Sequence, residues 1–361
     1  MSGIGLYIHI PFCAGKCPYC DFYSVPYDSR LSFAYADAVT RNIGYYNQRY
    51  NTIYFGGGTP SVAWWDICRI MSGLRFSDDA EITVEANPNS LSKESLSSMR
   101  SCGINRISIG VQSFSNIELN ALGRGHTSED ASNAVRLASE CGFKNISVDL
   151  MLGIPGQTPD SVRRSVKVLA AMNINHVSAY MLKVEPNTPF ANMALNIPDE
   201  NLTAQIYLAA VDALEQNGFK QYEISNFSRR DSECRHNLKY WRSEEYLGIG
   251  AAAHSFYDGE RFYVENDVRK FIDSPVQETV FADKDKKFKL DFTEYAMLKL
   301  RLTEGLSFAE CGKFGVDKDE MLIRCGLIPP DYLKVTGRGV RITKEGFLVS
   351  NQIITQLTVD S

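Results

Sequence analysis

The chain has 361 residues, of which 44% are apolar and 22% are charged, a composition typical of a folded globular protein with a sizeable core. Its net charge of -5 argues against nucleic acid or an anionic membrane surface as a partner. The sequence has neither a signal-peptide pattern nor an apolar run of the roughly 20 residues that cross a bilayer. We therefore expect a cytoplasmic protein without an integral membrane segment.

Six apolar, β-branched runs alternate with longer amphipathic stretches, and each run is typical of a buried parallel strand. They are Leu6–Ile10, Thr52–Phe55, Glu81–Ala86, Arg106–Gln112, Ile146–Leu152 and His176–Leu182. A phrase of helix end, glycine and strand recurs at Gly103, Gly142 and Gly218, as a repeating βα unit would produce. The sequence therefore predicts an α/β fold, a partial TIM-type (β/α)6 barrel, with 221–225 as a candidate added strand.

The βα pattern weakens after residue 260, so we predict a barrel domain over 1–260, a charged linker over 261–289 and a small domain over 290–361. In the last domain, an amphipathic helix over 292–302 and a β-wing over 333–342 before a final helix outline a winged-helix-like fold. Its 9 basic residues do not exceed its 10 acidic residues, which argues against DNA binding.

The strongest chemical signal is a CxxxCxxC sequence, Cys13, Cys17 and Cys20, directly after the first strand. Clustered thiols in a reducing compartment indicate a metal site, and thiolates select iron–sulfur clusters, copper(I) or zinc. Three cysteines leave the fourth iron of a cubane open for another ligand. A zinc site would need a fourth protein ligand, for which the loop offers only Asp21 or His9. The spacing favours the cluster.

Other candidate residues fall at predicted strand ends, where barrel active sites are built. Three glycines at 56–58, followed by Thr59, let the backbone approach a ligand closely and present N–H groups to it. Glu85, Gln112 and Asp149 lie near the carboxyl ends of apolar strands, and Arg124 lies in the loop that follows Gln112. A lone buried carboxylate is costly, so these polar side chains indicate a binding site.

Together the cysteine motif and the barrel resemble the radical S-adenosylmethionine superfamily. The flanks Tyr7-Ile-His-Ile-Pro-Phe-Cys13 and Tyr19-Cys20 are similar to its HemN/HemW branch, and the resemblance covers nearly the whole chain. It implies a [4Fe-4S] cluster on the three cysteines and S-adenosylmethionine on that cluster. It also implies that S-adenosylmethionine is held by Tyr7, Tyr19, Gly57, Gly58, Thr59, Glu85, Gln112, Arg124 and Asp149.

A second group of residues follows Cys234 as the sequence HNxxYW. Read alone, a histidine beside aromatic residues is most often structural. The motif is nevertheless similar to that of the heme chaperones in this branch, where the histidine is associated with heme. The resemblance implies heme binding by His236, Asn237, Tyr240 and Trp241. His254 is a second candidate ligand, although a packing role is favoured for it. We interpret the five remaining cysteines as core residues: Cys68, Cys102, Cys141, Cys311 and Cys325.

The resemblance leaves two functions open. One is a heme chaperone that delivers heme to an acceptor protein, such as a respiratory protein, through transient contact with a membrane protein. The other is the oxygen-independent coproporphyrinogen III dehydrogenase, a radical enzyme of heme biosynthesis. The dehydrogenase has a further cysteine where this chain has Phe22, and it has an N-terminal extension before the first strand. With HNxxYW, these differences favour the chaperone and leave open whether the chain is an enzyme.

Overall fold

Strands and helices alternate along the chain in the computed structural model, which describes residues 3–276, 280–281 and 290–358. The strands are β1 (Ile4–Ile10), β2 (Phe12–Cys13), β3 (Val25–Pro26), β4 (Tyr50–Gly57), β5 (Phe76–Ala86), β6 (Arg106–Gln112), β7 (Asn145–Leu152), β8 (His176–Met181), β9 (Lys220–Gln221), β10 (Asn226–Ser228), β11 (Tyr246–Ile249), β12 (His254–Tyr257), β13 (Glu260–Tyr263), β14 (Val280–Phe281), β15 (Leu306–Ser307), β16 (Leu333–Val335) and β17 (Gly339–Ile342). The helices are α1 (Ser29–Tyr46), α2 (Trp64–Ser72), α3 (Lys93–Ser101), α4 (Asn116–Ala121), α5 (Ser128–Glu140), α6 (Pro159–Ala170), α7 (Glu200–Gln216), α8 (Arg235–Trp241), α9 (Val268–Asp273), α10 (Phe292–Lys299), α11 (Phe308–Gly312), α12 (Lys318–Cys325), α13 (Lys344–Phe347) and α14 (Ser350–Thr358).

The main sheet contains the six predicted strands as parallel neighbours in the order β1-β4-β5-β6-β7-β8. A seventh parallel strand, β11, pairs with the free side of β1, and three antiparallel strands continue that edge. At the other edge, β10 and β9 are antiparallel. The described strands of this sheet do not close into a ring, which confirms the partial barrel.

The added strand predicted over 221–225 is wrong. Residues 220–221 and 226–228 are instead the two short arms of a β9–β10 hairpin, and the segment between them is the turn. The backbone N–H of Ser225 donates to the carboxylate of Glu223 within that turn, at 3.0 Å. This local hydrogen bond satisfies a backbone group that a continuous strand would have paired with its neighbour.

Each parallel strand of the barrel has an apolar face and a polar face. Alternate residues such as Leu6, Ile53 and Val148 are fully buried in the apolar core. The residues between them are polar and reach each other across the barrel interior, as in the hydrogen bond from Ser108 to Asp149 at 2.9 Å. Because side chains alternate along a strand, the same six strands supply the core on one face and a polar interior on the other.

Residues 260–273, predicted to lie across the boundary between the barrel and the linker, belong to the barrel sheet and its helices. Strand β13 pairs with β12, and Phe271 of α9 is fully buried beside Tyr35 of α1. Of the predicted linker, residues 277–279 and 282–289 lie outside the described residues. The three-domain division stays a prediction.

The C-terminal residues combine five short helices, α10–α14, with a three-stranded antiparallel sheet in the order β15-β17-β16. The predicted helix over 292–302 ends three residues earlier, at Lys299. The predicted β-wing is the β16–β17 pair, with Leu333 opposite Ile342. An ion pair from Lys344 to Asp212 of α7, at 2.6 Å, joins this part to the barrel.

Candidate functional site

The loop with the three cysteines starts from a short strand and stands over the barrel. Strand β2 ends at Cys13 and pairs with β3, and the carbonyl of Cys13 accepts from the N–H of Tyr27 at 3.0 Å. A tight turn follows, in which the N–H of Cys20 donates to the carbonyl of Cys17 at 3.1 Å. All three thiols are half-buried and free. The sequence thus holds three soft donors on one anchored loop.

Beneath this loop lies a cavity of about 450 Å³ at the carboxyl ends of the parallel strands. The residues that line it include the three cysteines and eight of the nine residues predicted to bind S-adenosylmethionine: Tyr19, Gly57, Gly58, Thr59, Glu85, Gln112, Arg124 and Asp149. The ninth, Tyr7, does not line it. These residues come from six separate segments, which therefore meet at the end of the barrel where such folds bind ligands.

The glycine segment at the end of β4 is fixed by close approaches on two sides. Gly57 has φ of +116°, and a Cβ there would lie 2.7 Å from the His9 ring. A Cβ on Gly58 would lie 2.7 Å from the carbonyl oxygen of Phe12, so a side chain would displace the cysteine loop. The glycines thus allow the cysteine loop to approach β4.

The prediction that this glycine segment presents its backbone N–H groups to a ligand is wrong. The N–H of Gly57 donates to Glu85 at 3.2 Å, that of Gly58 to the carbonyl of Ile10 at 2.9 Å, and that of Thr59 to the carbonyl of Phe12 at 2.7 Å. Those three donors hold the loop itself. A ligand would meet the segment through its carbonyl groups and its lack of side chains.

Two carboxylates, Glu85 and Asp149, stand in the wall of the cavity with protein on every other side. Glu85 accepts from the hydroxyl of Tyr54 at 2.9 Å as well as from Gly57. Burial, and then the charge of Asp149, raise the pKa of Glu85 to about 7. Burial also raises the pKa of Asp149, although Ser108 donates to it. A cationic ligand between them would stabilise both charges.

Arg124 joins the cysteine loop to the end of β6. Its guanidinium donates to the carbonyl of Gly110 at 2.8 Å, to the sulfur of Cys17 at 3.2 Å and to the hydroxyl of Tyr19 at 3.3 Å. Nearby, Gln112 adopts a left-handed conformation with φ of +68° and accepts from Tyr180 at 2.8 Å. This strained backbone turns the Gln112 side chain to the cavity wall.

Tyr7 lies behind the cavity wall. Its hydroxyl is 3.1 Å from Nδ1 of His9, whose Nε2 is 3.0 Å from the carbonyl of Tyr23. A carbonyl only accepts, so Nε2 carries the proton and Nδ1 accepts from Tyr7. Both ring nitrogens of His9 are therefore engaged within the protein, which leaves His9 poorly suited to be a fourth zinc ligand. Within the described residues, no three His, Cys, Asp or Glu side chains converge closely enough to hold a single metal ion.

The histidine of the HNxxYW motif lies at the opposite end of the barrel. His236 is 0% exposed, with Nδ1 2.8 Å from the Thr52 hydroxyl and Nε2 2.8 Å from the Tyr240 hydroxyl. Its ring stacks on Tyr54 with centroids 5.3 Å apart. Burial lowers the pKa of His236 to about 3, so the ring is neutral near pH 7. In this conformation neither ring nitrogen is free for a metal.

Helix α8 is held in this position by buried charges. The carboxylate of Glu81 accepts from the backbone N–H groups of Arg235 and His236 at 3.2 and 3.1 Å. It thereby gives hydrogen-bond partners to two N–H groups in the first turn of α8, which have none within the helix. Lys239 donates to the carbonyl of Gly3 at 2.6 Å and to Glu244 at 3.1 Å. Helix α8 therefore closes the amino-terminal end of the barrel, and we call it the floor.

The other residues of the motif are divided between the floor and the cavity. Asn237 lines the cavity from below, whereas Tyr240 packs on Tyr246 with centroids 4.5 Å apart. Trp241 is half-buried under the guanidinium of Arg301, 5.8 Å from its ring centroid. The second candidate ligand, His254, is exposed and stacks on Tyr263. These four residues do not surround one common space with His236.

The cysteines interpreted as core residues fall into two groups. Cys311 and Cys325 are buried, which confirms the interpretation for them. Cys68, Cys102 and Cys141 are half-buried and pack against the core from its edge, and the sulfurs of Cys68 and Cys102 are 3.0 Å apart. Cys102 and Cys141 directly follow the last residues of α3 and α5, whereas Cys68 lies within α2.

Several cavity residues were not singled out from the sequence. Tyr54, Ser178 and Tyr180 line the cavity and hydrogen-bond or pack with the predicted residues. Their signal was present as polar residues at every second position of β4 and β8. A strict count of the two-residue period would have found them.

Comparison with known proteins shows which family the chain belongs to. The Radical SAM superfamily profile matches residues 7–169. The chain is 35% identical over 96% of its length to the Heme chaperone HemW of Bacillus subtilis, covering 97% of that protein. It is 38% identical to the Heme chaperone HemW of Escherichia coli over 71% of each chain, and 32% identical to that of Lactococcus lactis over 98% of this chain and 97% of that protein.

Among solved structures, the coproporphyrinogen III oxidase HemN from Escherichia coli, a radical SAM enzyme, superimposes with a TM-score of 0.81. The match covers 99% of this chain and 90% of that chain at 21% identity, so it shows the shared fold. No helix among residues 3–276, 280–281 and 290–358 is long and apolar enough to cross a membrane. The 32–38% identity to HemW proteins over most of the chain shows that it belongs to the HemW family of the radical SAM superfamily.

Proposed function

We propose that this protein is a heme chaperone that carries a [4Fe-4S] cluster on Cys13, Cys17 and Cys20 and binds S-adenosylmethionine beside it. The observation that carries the proposal is the convergence of three free, half-buried thiols with a polar cavity lined by Glu85 and Asp149. The donor set fits the cluster, since thiolates are its usual ligands and three of them leave one iron open. When bound, the cluster would supply an electron to S-adenosylmethionine.

The residues around the cavity differ in what they offer a zwitterionic ligand. Glu85, whose pKa is raised to about 7, would bind an ammonium group and ionise fully as it did so. Arg124 already faces Cys17 and would pair with a carboxylate. Asp149, held by Ser108, would accept from hydroxyl groups of a sugar. Tyr19, which packs edge-on against Phe190, borders the same space. Water would be excluded by the cysteine loop above them.

Heme binding at His236, Asn237, Tyr240 and Trp241 stays a prediction. Coordination by His236 would require both hydrogen bonds of its ring to break and the floor, helix α8, to move away from the barrel. The relation between this motif and the cavity is direct, because the His236 ring stacks on Tyr54 and Tyr54 donates to Glu85. We therefore also propose that occupation of the cavity and release of the floor are coupled, so that cluster and cofactor gate heme transfer.

The partners follow from the same proposal. A chaperone of this kind requires heme and an acceptor protein, and a respiratory protein in a membrane is the acceptor we expect. Coproporphyrinogen III dehydrogenase activity is the weaker alternative, since the similarity to HemN supports the fold alone and Phe22 stands where the dehydrogenase has a cysteine. Nucleic acid is not an expected partner of a chain with a net charge of -5.

Anaerobic reconstitution followed by two assays on one sample tests this proposal. We expect a cubane absorption and iron content, and a Soret shift on titration with heme. Conversion of coproporphyrinogen III to protoporphyrinogen IX would instead restore the dehydrogenase. Absence of a cubane after reconstitution would contradict the whole assignment, whatever the result with heme.

A further inference from the structure

The rim of the cavity is apolar and open, in contrast to its polar interior. Phe22 and Met181 line the cavity and are 65% and 40% exposed. Leu182 lies beside them, packed on a small cluster that includes Met151 and Phe190. Large apolar side chains left in water at the entrance of a cavity mark a binding surface. This rim is not used by the binding of S-adenosylmethionine proposed above.

Charged groups stand on the same rim. Lys183, with its side chain 80% exposed, pairs with Glu185 at 2.6 Å, and Lys16 donates to the carbonyl of Phe22 at 3.0 Å. Asp21 also lines this entrance. Exposed ion pairs contribute little, roughly 0–1 kcal/mol, so Lys183 can exchange Glu185 for a carboxylate of a ligand at small cost. The rim therefore offers two exposed ammonium groups beside an apolar surface.

A large flat ligand with an apolar ring and two carboxylates matches these features. Heme is such a ligand, and its iron also accepts a thioether such as that of Met181. The floor offers a poorer first contact, because His236 is 0% exposed and both of its ring nitrogens are engaged. A ligand arriving from water reaches Phe22 and Met181 without any change in the barrel.

We propose that heme docks across the rim of the cavity, with its ring on Phe22 and Met181, its iron near the Met181 thioether and its propionates toward Lys16 and Lys183. This inference rests on the proposed function as a heme chaperone and names a binding surface for it. A ligand held there keeps one face in solvent, so an acceptor protein can contact the heme before the chaperone releases it.

Heme titration of the anaerobically reconstituted full chain tests this inference, with the dissociation constant and the Soret spectrum as readouts. We expect Phe22→Ala combined with Met181→Ala to weaken binding at least tenfold. Met181→Leu keeps an apolar side chain but removes the sulfur, so it is expected to change the Soret spectrum more than the affinity. Both residues are exposed, and their substitution leaves the core intact.

Ile117→Ala, at a residue 82% exposed on α4, is the matched control for removal of surface apolar area and is expected to bind like the wild type. Wild-type affinity in the double variant would overturn the rim site, and so would loss of binding in a folded His236→Ala variant alone. Failure of the wild type itself to bind heme would instead contradict the proposed function.

Discussion

The two ends of the barrel use the same strands but are covered differently. At the carboxyl ends, the cysteine loop leaves a cavity of about 450 Å³ with carboxylates, an arginine and three thiols in its wall. At the amino ends, α8 fills the interior, and every polar atom of His236 has a partner. At the carboxyl ends the polar side chains face a cavity that can receive a ligand, whereas at the amino ends the polar groups hydrogen-bond one another and close the barrel. The difference lies in the covering segments, since both layers of strand residues are polar.

The largest effect is expected from a change at the carboxyl end of the barrel, which we call the open end because it carries the cavity; the end closed by α8 is the closed end. Cys17→Ser should abolish cluster assembly, because the remaining two thiols cannot hold three irons of a cubane. Iron and sulfide analysis after reconstitution, together with the visible spectrum, would measure it. Cys141→Ser, at a half-buried cysteine away from the cavity, is the control and should retain the wild-type iron content. A normal iron content in Cys17→Ser would show that the open end is not a cluster site.

At the closed end, the expected effect is on stability. His236→Ala should lower the free energy of unfolding by about 3 kcal/mol, since it leaves a cavity and two buried hydroxyls, those of Thr52 and Tyr240, without their partner. Urea unfolding of the apoprotein measures the change. His254→Ala, at an exposed histidine, should stay within about 0.5 kcal/mol of the wild type. Equal losses in the two variants would mean that α8 is not a buried floor.

The two ends should also differ in the sign of their pH dependence. The pKa of His236 is lowered to about 3, below its unfolded value of 6.5. The contribution of this histidine to the free energy of unfolding is therefore present above pH 6.5 and is lost as the pH falls toward 3. The pKa of Glu85 is raised to about 7, above its unfolded value of 4.5. The contribution of this carboxyl group to the free energy of unfolding is therefore present below pH 4.5 and is lost as the pH rises toward 7.

Two neutral variants, His236→Gln and Glu85→Gln, isolate these contributions. Between pH 4.5 and 6.5, the unfolding free energy of the wild type relative to His236→Gln should rise with pH, and relative to Glu85→Gln it should fall. Each slope is at most about 1.4 kcal/mol per pH unit. Slopes of the same sign in the two comparisons would contradict the assignment of a neutral His236 at the amino end of the barrel and a protonated Glu85 at the carboxyl end.

The smallest effect is expected where the two ends meet. Tyr54→Phe keeps the ring that stacks on His236 and removes the hydroxyl that donates to Glu85. We expect the free energy of unfolding to fall by about 1 kcal/mol. We also expect the pKa of Glu85 to rise further, because the lost hydrogen bond favours the ionised carboxylate. Unfolding of the variant as a function of pH measures both. An unchanged Glu85 titration would mean that the two ends are independent.

The sequence predicted the six parallel strands and the residues around the cavity because both depend on local patterns. Apolar runs locate the strands, and the cysteine spacing and polar strand ends locate the open end. β11 escaped prediction because four residues carry too little periodicity to distinguish a strand. The burial of His236 could not be predicted either, since it depends on Glu81 and Thr52, which are more than 150 residues away in the chain. Long-range contacts of this kind have no local signal.

Strand β4 carries Thr52 at the floor, Tyr54 in the interior and Gly57 at the cavity, and it is hydrogen-bonded to β1 on one side and β5 on the other. At about 3.3 Å per residue, the contacts at its two ends are roughly 17 Å apart along one stiff segment. A strand held on both sides cannot slide alone, because a shift would break two ladders at once. Strand β4 is therefore a rigid element between the cavity and the floor. Any signal between cofactor and floor must pass through side chains that rotate beside it.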